Sequence, residues 1–153
     1  MEKVKCVEEE ASLDAMDSRE ELKLLEEICD KAREKGRLDD EEAERLREVF
    51  GERLIRAWRL VEEGRIKRYV FQPSGRIMWI AVGKEREYLL LPEAAYCSCD
   101  DFYYRVVDGE AALCYHLIAQ RLAEALGRFE EVYEGDEFYD DLMAEWRSQA
   151  LEG

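Results

Sequence analysis

Cys97-Ser98-Cys99, a gap of fourteen residues, and then Cys114-Tyr115-His116 is the stretch that decides how this chain can fold. Three thiols and one imidazole are the donor set of a closed structural zinc site, because Zn2+ favours four tetrahedral sulfur or nitrogen ligands. The spacing suits that geometry. Side chains two apart on an extended strand share a face, so Cys97 and Cys99 can aim both sulfurs the same way while Ser98 turns aside. Residues two apart on a regular helix do not share a face, which requires Cys114 just before a helix and His116 in its first turn. At that point the unpaired N–H groups and the positive end of the helix dipole favour a thiolate. His116 is the chain's only histidine, and its position two residues after the third of three clustered cysteines argues against chance. Two readings compete: buried core thiols beside a core histidine, and a Cys114–His116 catalytic dyad. The dyad has no orienting third group and leaves Cys97 and Cys99 without a role.

Upstream, Leu22, Leu25, Ile28, Cys29 and Ala32 recur at helical spacing, with Gly36 placed as a C-terminal cap. A second helix is expected after Asp39 or Asp40, with a stripe through Ala43, Leu46, Phe50, Leu54, Ala57, Trp58 and Val61 that ends at Gly64. Residues 65–71 and 76–82 then read as strands joined by Pro73-Ser74-Gly75, and residues 87–91 as a third strand that stops at Pro92. Residues 94–99 read as a short extended segment. Asp100 or Asp101 could open a helical turn through Phe102 to residue 107, broken by Asp108-Gly109. From Leu113 onward, Leu117, Ile118, Leu122, Ala125, Leu126 and Phe129 describe an amphipathic helix ending near Gly127. An acidic stretch then leads into Tyr139, Leu142, Met143 and Trp146, which share one helical face. The expected class is α+β: an N-terminal helical hairpin over residues 1–63, a small antiparallel sheet with the zinc module and its following helix over 64–130, and a C-terminal acidic helix over 131–153. Cys29 lies on an apolar stripe and reads as a buried thiol. Cys6, in a charged terminus, has no assignable role.

Hydrophobic residues at 47% beside charged residues at 40% describe a folded chain with a densely charged surface. Asn and Thr are absent, and scarce amides with abundant Glu and Arg resemble a thermophile's composition. No apolar run approaches the roughly 20 residues of a membrane span, and the first residues lack a signal peptide's apolar core. Five cysteines at this spacing suit a metal better than a disulfide framework, so a soluble cytoplasmic or otherwise intracellular protein is expected. The net charge of −15 repels phosphate, and avid non-specific DNA binding by the free chain is not expected. The charge is uneven, however. Residues 53–86 hold nine basic side chains against three acidic ones. A direct nucleic-acid reading would use Arg65, Lys67, Arg68 and Arg76 on that segment, with Tyr69, Phe71 or Trp79 for stacking.

The Cys-x-Cys, long gap, Cys-x-His pattern resembles that of the SWIM zinc-finger family. Ala119, three residues past His116, and the run Tyr96-Cys97-Ser98-Cys99 with Phe102 beyond it make the chain most similar to the SWIM subunit of Shu recombination complexes. The resemblance covers roughly residues 66–126. It implies a small sheet carrying the first ligand pair, a helix carrying the second, and one bound Zn2+. It also implies a subunit that binds a RecA-family recombinase paralogue and supports homologous recombination and DNA repair, with DNA contacted weakly or through the complex. A Cys3His shell has no open position, and no phosphate loop, nucleophile elbow or paired catalytic carboxylates occur elsewhere, so a non-enzyme is expected. An unrelated zinc adaptor in transcription or transposon control is the remaining alternative. The apolar stripe Tyr139, Leu142, Met143 and Trp146 lies outside the resemblance and is expected to face a partner, with Trp146 as its anchor. Otherwise that helix completes the core or pairs two copies as a homodimer.

Overall fold

The computed structural model describes residues 18–94, 96–99 and 113–152; these build five helices and one five-stranded sheet. Helix α1 (Ser18–Lys35) carries Glu20 and Glu21 in its first turn and Arg33 and Lys35 in its last, matching the helix dipole at both ends. Asp39 caps α2 (Asp40–Phe50), and the Glu42 carboxylate accepts the Asp39 N–H at 3.2 Å. The stripe expected to form one long helix is divided: α2 stops at Gly51, whose φ of +58° side chains other than glycine rarely adopt, and α3 (Glu52–Glu62) starts beyond it. The break lets Leu46 and Phe50 and then Leu54, Ala57, Leu60 and Val61 all reach the core.

Strands β1 (Ile66–Gln72), β2 (Arg76–Val82) and β3 (Glu87–Leu91) follow as an antiparallel meander. After a short 3₁₀ turn at Pro92–Ala94, β4 (Tyr96–Cys97) pairs antiparallel with β3. Helix α4 (Tyr115–Leu126) ends at Gly127 in the left-handed conformation, φ +66°. The chain then lays down β5 (Glu130–Gly135) parallel to β1, giving the order β4-β3-β2-β1-β5. This strand and its parallel pairing differ from the antiparallel sheet read from the sequence. Half of its residues are acidic, and it is held by a partner far away in the chain: Arg68 of β1 pairs with Glu131, Nε to Oε2 at 2.7 Å, and lies over the rings of Trp79 and Phe129. Helix α5 (Tyr139–Glu152) closes the described chain.

Strand alternation sends the two rows of side chains to different layers. On one face Ile66, Trp79, Ala81 and Leu90 join the helices: α1 and α3 both pack on α4, and their apolar rows form one core with Leu117, Ile118 and Leu122. On the other face Phe71, Ile80 and Leu89 are covered by Met143 and Trp146 of α5. The helix stripes that one small module could not be expected to hide are thus both packed, one on each side of the sheet. Among the described residues, no helix is long and apolar enough to cross a membrane.

Candidate metal centre

Cys97 stands opposite Leu90 in the β3–β4 ladder and therefore faces α4. The next residue fixes the strand end. Ser98 donates its N–H to the Leu89 carbonyl at 3.0 Å, and its hydroxyl accepts the Leu89 N–H at 2.9 Å. With Ser98 turned onto β3, Cys99 is buried with Cys97. Cys114 is the N-cap of α4, in extended conformation at φ −84° and ψ 167°, and its carbonyl accepts the Ile118 N–H at 3.2 Å. His116 consequently lies in the first helical turn.

The three Sγ atoms and the imidazole nitrogen of these residues all lie within 4.8 Å of one another. The Cys114 Sγ to His116 Nδ1 separation is 3.9 Å. Tetrahedral bonds of about 2.3 Å to sulfur and 2.0 Å to nitrogen place donors about 3.5–3.8 Å apart, so small inward shifts complete the shell. All four residues are at most 5% exposed, which leaves no solvent to share the ion. Protonation tells the same story. Burial pushes the Cys97 and Cys114 thiols up, Cys114 to about 12, while hydrogen bonds from Cys114 and Cys97 hold Cys99 well below the ordinary thiol range. Thiolates packed this closely repel one another, and a divalent ion is the charge that would let all three ionise together. Among the described residues no second group of this kind occurs.

Residues that the sequence reading did not single out brace the site. Tyr88 and Tyr115 flank the imidazole, with ring centroids 4.5 and 4.1 Å from that of His116. Arg53 of α3 donates to both carboxylate oxygens of Glu21 on α1, at 2.8 and 3.3 Å, and to the Leu113 carbonyl at 2.8 Å. One guanidinium thereby fixes the residue before Cys114 to two helices. Its partners lie 32 and 60 residues away, so no local pattern could have found it.

The other predicted positions fare differently. Arg65, Lys67, Arg68 and Arg76 are not brought together: Lys67 and Arg68 alternate to opposite faces of β1, Arg65 pairs with Glu63 and donates to the Val82 and Gly83 carbonyls, and Arg76 lies over the Tyr139 ring. The rings assigned to base stacking are also occupied. Phe71 and Trp79 are buried, and Tyr69 packs edge-on against Trp146 at 5.1 Å. Trp146, expected as an exposed anchor with Tyr139, Leu142 and Met143, is instead fully buried, its indole N–H donating to Glu87 at 3.1 Å. The free sheet face needed covering, and α5 covers it. Cys29 is a buried thiol whose S–H meets the Arg121 carbonyl; burial raises it to about 12. Phe102, Cys6 and the turn expected over 100–107 lie outside the described residues.

No family model matches the chain. Three relatives share a name and span most of it. The zinc finger SWIM domain-containing protein 7 of Mus musculus is 32% identical over 80% of this chain and 81% of its own length. The chain belongs to the zinc finger SWIM domain-containing protein 7 family. The homologue from Dictyostelium discoideum is 30% identical, over 67% of this chain and 63% of its own length, and the Homo sapiens protein 29% identical, over 78% and 86%. Membership of the SWIM domain-containing protein 7 family agrees with a Cys3His cluster set between a sheet edge and a helix start.

Proposed function

We propose that the protein holds one Zn2+ through Cys97, Cys99, Cys114 and His116 and serves as a non-catalytic adaptor that docks a RecA-family recombinase paralogue in homologous recombination and DNA repair. The observation that carries this reading is the buried donor cluster, with every ligand atom within 4.8 Å of the others. Bound there, zinc would supply cross-linking of β4 to α4 and charge balance for the thiolates, with no open position for substrate. The chain's own residues do the rest: Ser98 sets the strand end, Arg53 fixes Leu113, and Tyr88 and Tyr115 shield the imidazole. The recombinase partner follows from the likeness to the SWIM subunit of Shu complexes. A tagged full-length protein purified from native extract is expected to carry one zinc per chain and to recover a RecA-like ATPase identifiable by mass spectrometry. A preparation with no zinc defeats the first half of the reading, and recovery without any RecA-like protein defeats the second.

A further inference from the structure

Beside the metal centre a groove of about 890 Å³ opens between α3 and the turn joining β2 to β3, and its floor reaches His116. Arg56 and Arg59 line one wall; Lys84 and Arg86 line the other. Of the two carboxylates on the rim, Glu63 is paired with Arg65 at 2.7 Å, which leaves Glu85 against Arg56, Arg59 and Lys84. This local sign is opposite to that of a chain with net charge −15. The floor is aromatic, made by Tyr88 and Tyr115, and Arg56 lies 5.7 Å above the Tyr115 ring.

We propose that this groove docks an acidic, extended segment of a protein partner, with Arg56, Arg59 and Lys84 receiving its carboxylates and Tyr88 and Tyr115 supporting the side chains between them. The inference rests on the docking reading above and gives the partner a chemistry. Guanidinium groups suit carboxylate and phosphate equally, so the choice between peptide and nucleic acid comes from the continuity of the charge and its reach. A nucleic-acid strand carries a negative charge on every nucleotide, without interruption. It would have to pass Glu85 and continue over a surface that is acidic overall. An extended peptide turns alternate side chains to one face, about 7 Å apart, so its acidic positions can meet the arginines while a neutral one passes Glu85. Its charge can also end where the groove ends.

The test uses full-length, zinc-loaded protein and three fluorescein-labelled probes: a (Glu-Ser)5 peptide, a (Lys-Ser)5 peptide and a dT20 strand, followed by anisotropy at low and physiological salt. The variant combines Arg56→Glu, Arg59→Glu and Lys84→Glu, all exposed positions; zinc content and melting temperature verify its fold. A control combines Arg37→Glu, Arg45→Glu and Arg47→Glu on or beside α2, away from the groove. The acidic peptide is expected to bind saturably, to lose about tenfold or more in the groove variant, equivalent to about 1.4 kcal/mol, and to bind the control as it binds wild type. Equal binding to wild type and groove variant overturns the proposal, as does failure of the acidic peptide to outbind the basic one. Tighter binding of dT20, lost in the groove variant, also overturns it and makes the groove a nucleic-acid site. Recombinase recovery is measured on the same proteins. A recovered recombinase without peptide binding removes the groove proposal alone, whereas peptide binding without a recombinase removes the partner named above and keeps the groove.

Discussion

On one face of the sheet α4 brings two metal-binding donors and a long apolar row against Ile66, Trp79, Ala81 and Leu90, where Cys97 waits at the sheet edge; on the other face α5 closes over Phe71, Ile80 and Leu89 with Met143 and Trp146, flanked by Tyr139 and Leu142. The first face has the larger core, yet it places three thiols and an imidazole, all nearly without solvent, where apolar atoms would otherwise sit. Such a centre is costly until a cation satisfies it. The second face holds no comparable charge problem. Its contacts are edge-to-face rings, Trp146 on Tyr69 and Tyr139 on Phe71, each with centroids 5.1 Å apart, plus one indole hydrogen bond to Glu87. One side of the same sheet therefore carries a buried donor cluster suited to a cation, and the other rests on the fit of a few rings.

The comparison is broken most severely at the donors. Cys99→Ser is expected to lose the metal and with it the cooperative fold, because structural zinc contributes roughly 10 kcal/mol or more of apparent binding free energy against a typical domain stability of about 5–15. Zinc analysis and circular dichroism check this, and a soluble, fully loaded, natively folded Cys99→Ser protein would remove Cys99 from the site. Next comes the opposite face. Trp146→Ala should cost about 4 kcal/mol, lowering the melting temperature by roughly 10 °C, while leaving one zinc per chain; metal loss in this variant would show that the faces are not independent. A third substitution sharpens the boundary between helices and metal. Arg53→Ala leaves the Glu21 carboxylate, 6% exposed, without its guanidinium and frees the Leu113 carbonyl, at an expected cost of about 3 kcal/mol. Zinc should remain at stoichiometry but exchange faster with a competing chelator, and an unchanged exchange rate would reduce Arg53 to a stability role. The smallest effect belongs to Cys29→Ala. Removing that buried thiol should cost about 1 kcal/mol and change zinc content not at all; a fall in bound zinc would make Cys29 part of the metal chemistry.

The donor set was legible because its chemistry depends on spacing: two cysteines straddling Ser98 and a cysteine just ahead of a helix can meet in few ways, and here they do so with Cys114 as the N-cap. The meander was equally visible, since residues 76–82 and 87–91 carry strong strand signals and form strands with those same bounds. What escaped was decided at long range. Glu130-Glu131-Val132-Tyr133 has little strand character of its own and becomes β5 because β1 offers a free edge and Arg68 a counter-charge. Trp146 looked like an anchor because a helical stripe reports that a face is apolar, without reporting what lies against it. The basic segment misled for a related reason: charge counted along the chain is redistributed by strand alternation and a helix, so Arg56, Arg59 and Lys84 share a groove while Lys67 and Arg68 are parted.

The parallel pairing of β1 with β5 also carries a cost in chain entropy. Arg68 and Glu131 are separated by 63 positions, and closing a loop of that length costs about 1.6 kcal/mol more in chain entropy than closing a ten-residue hairpin. The meander pairs neighbours in the chain, whereas β5 pairs with a strand that α4 and much of the sheet separate from it. Cys97, Cys99, Cys114 and His116 all precede β5 in the chain, so a nascent protein leaving the ribosome presents these four donors before β5 exists. A cation bound at that stage would shorten the remaining search: with β4 and α4 tied, β5 would emerge from the end of α4 through a connection of only Gly127, Arg128 and Phe129, and its docking would become a local step.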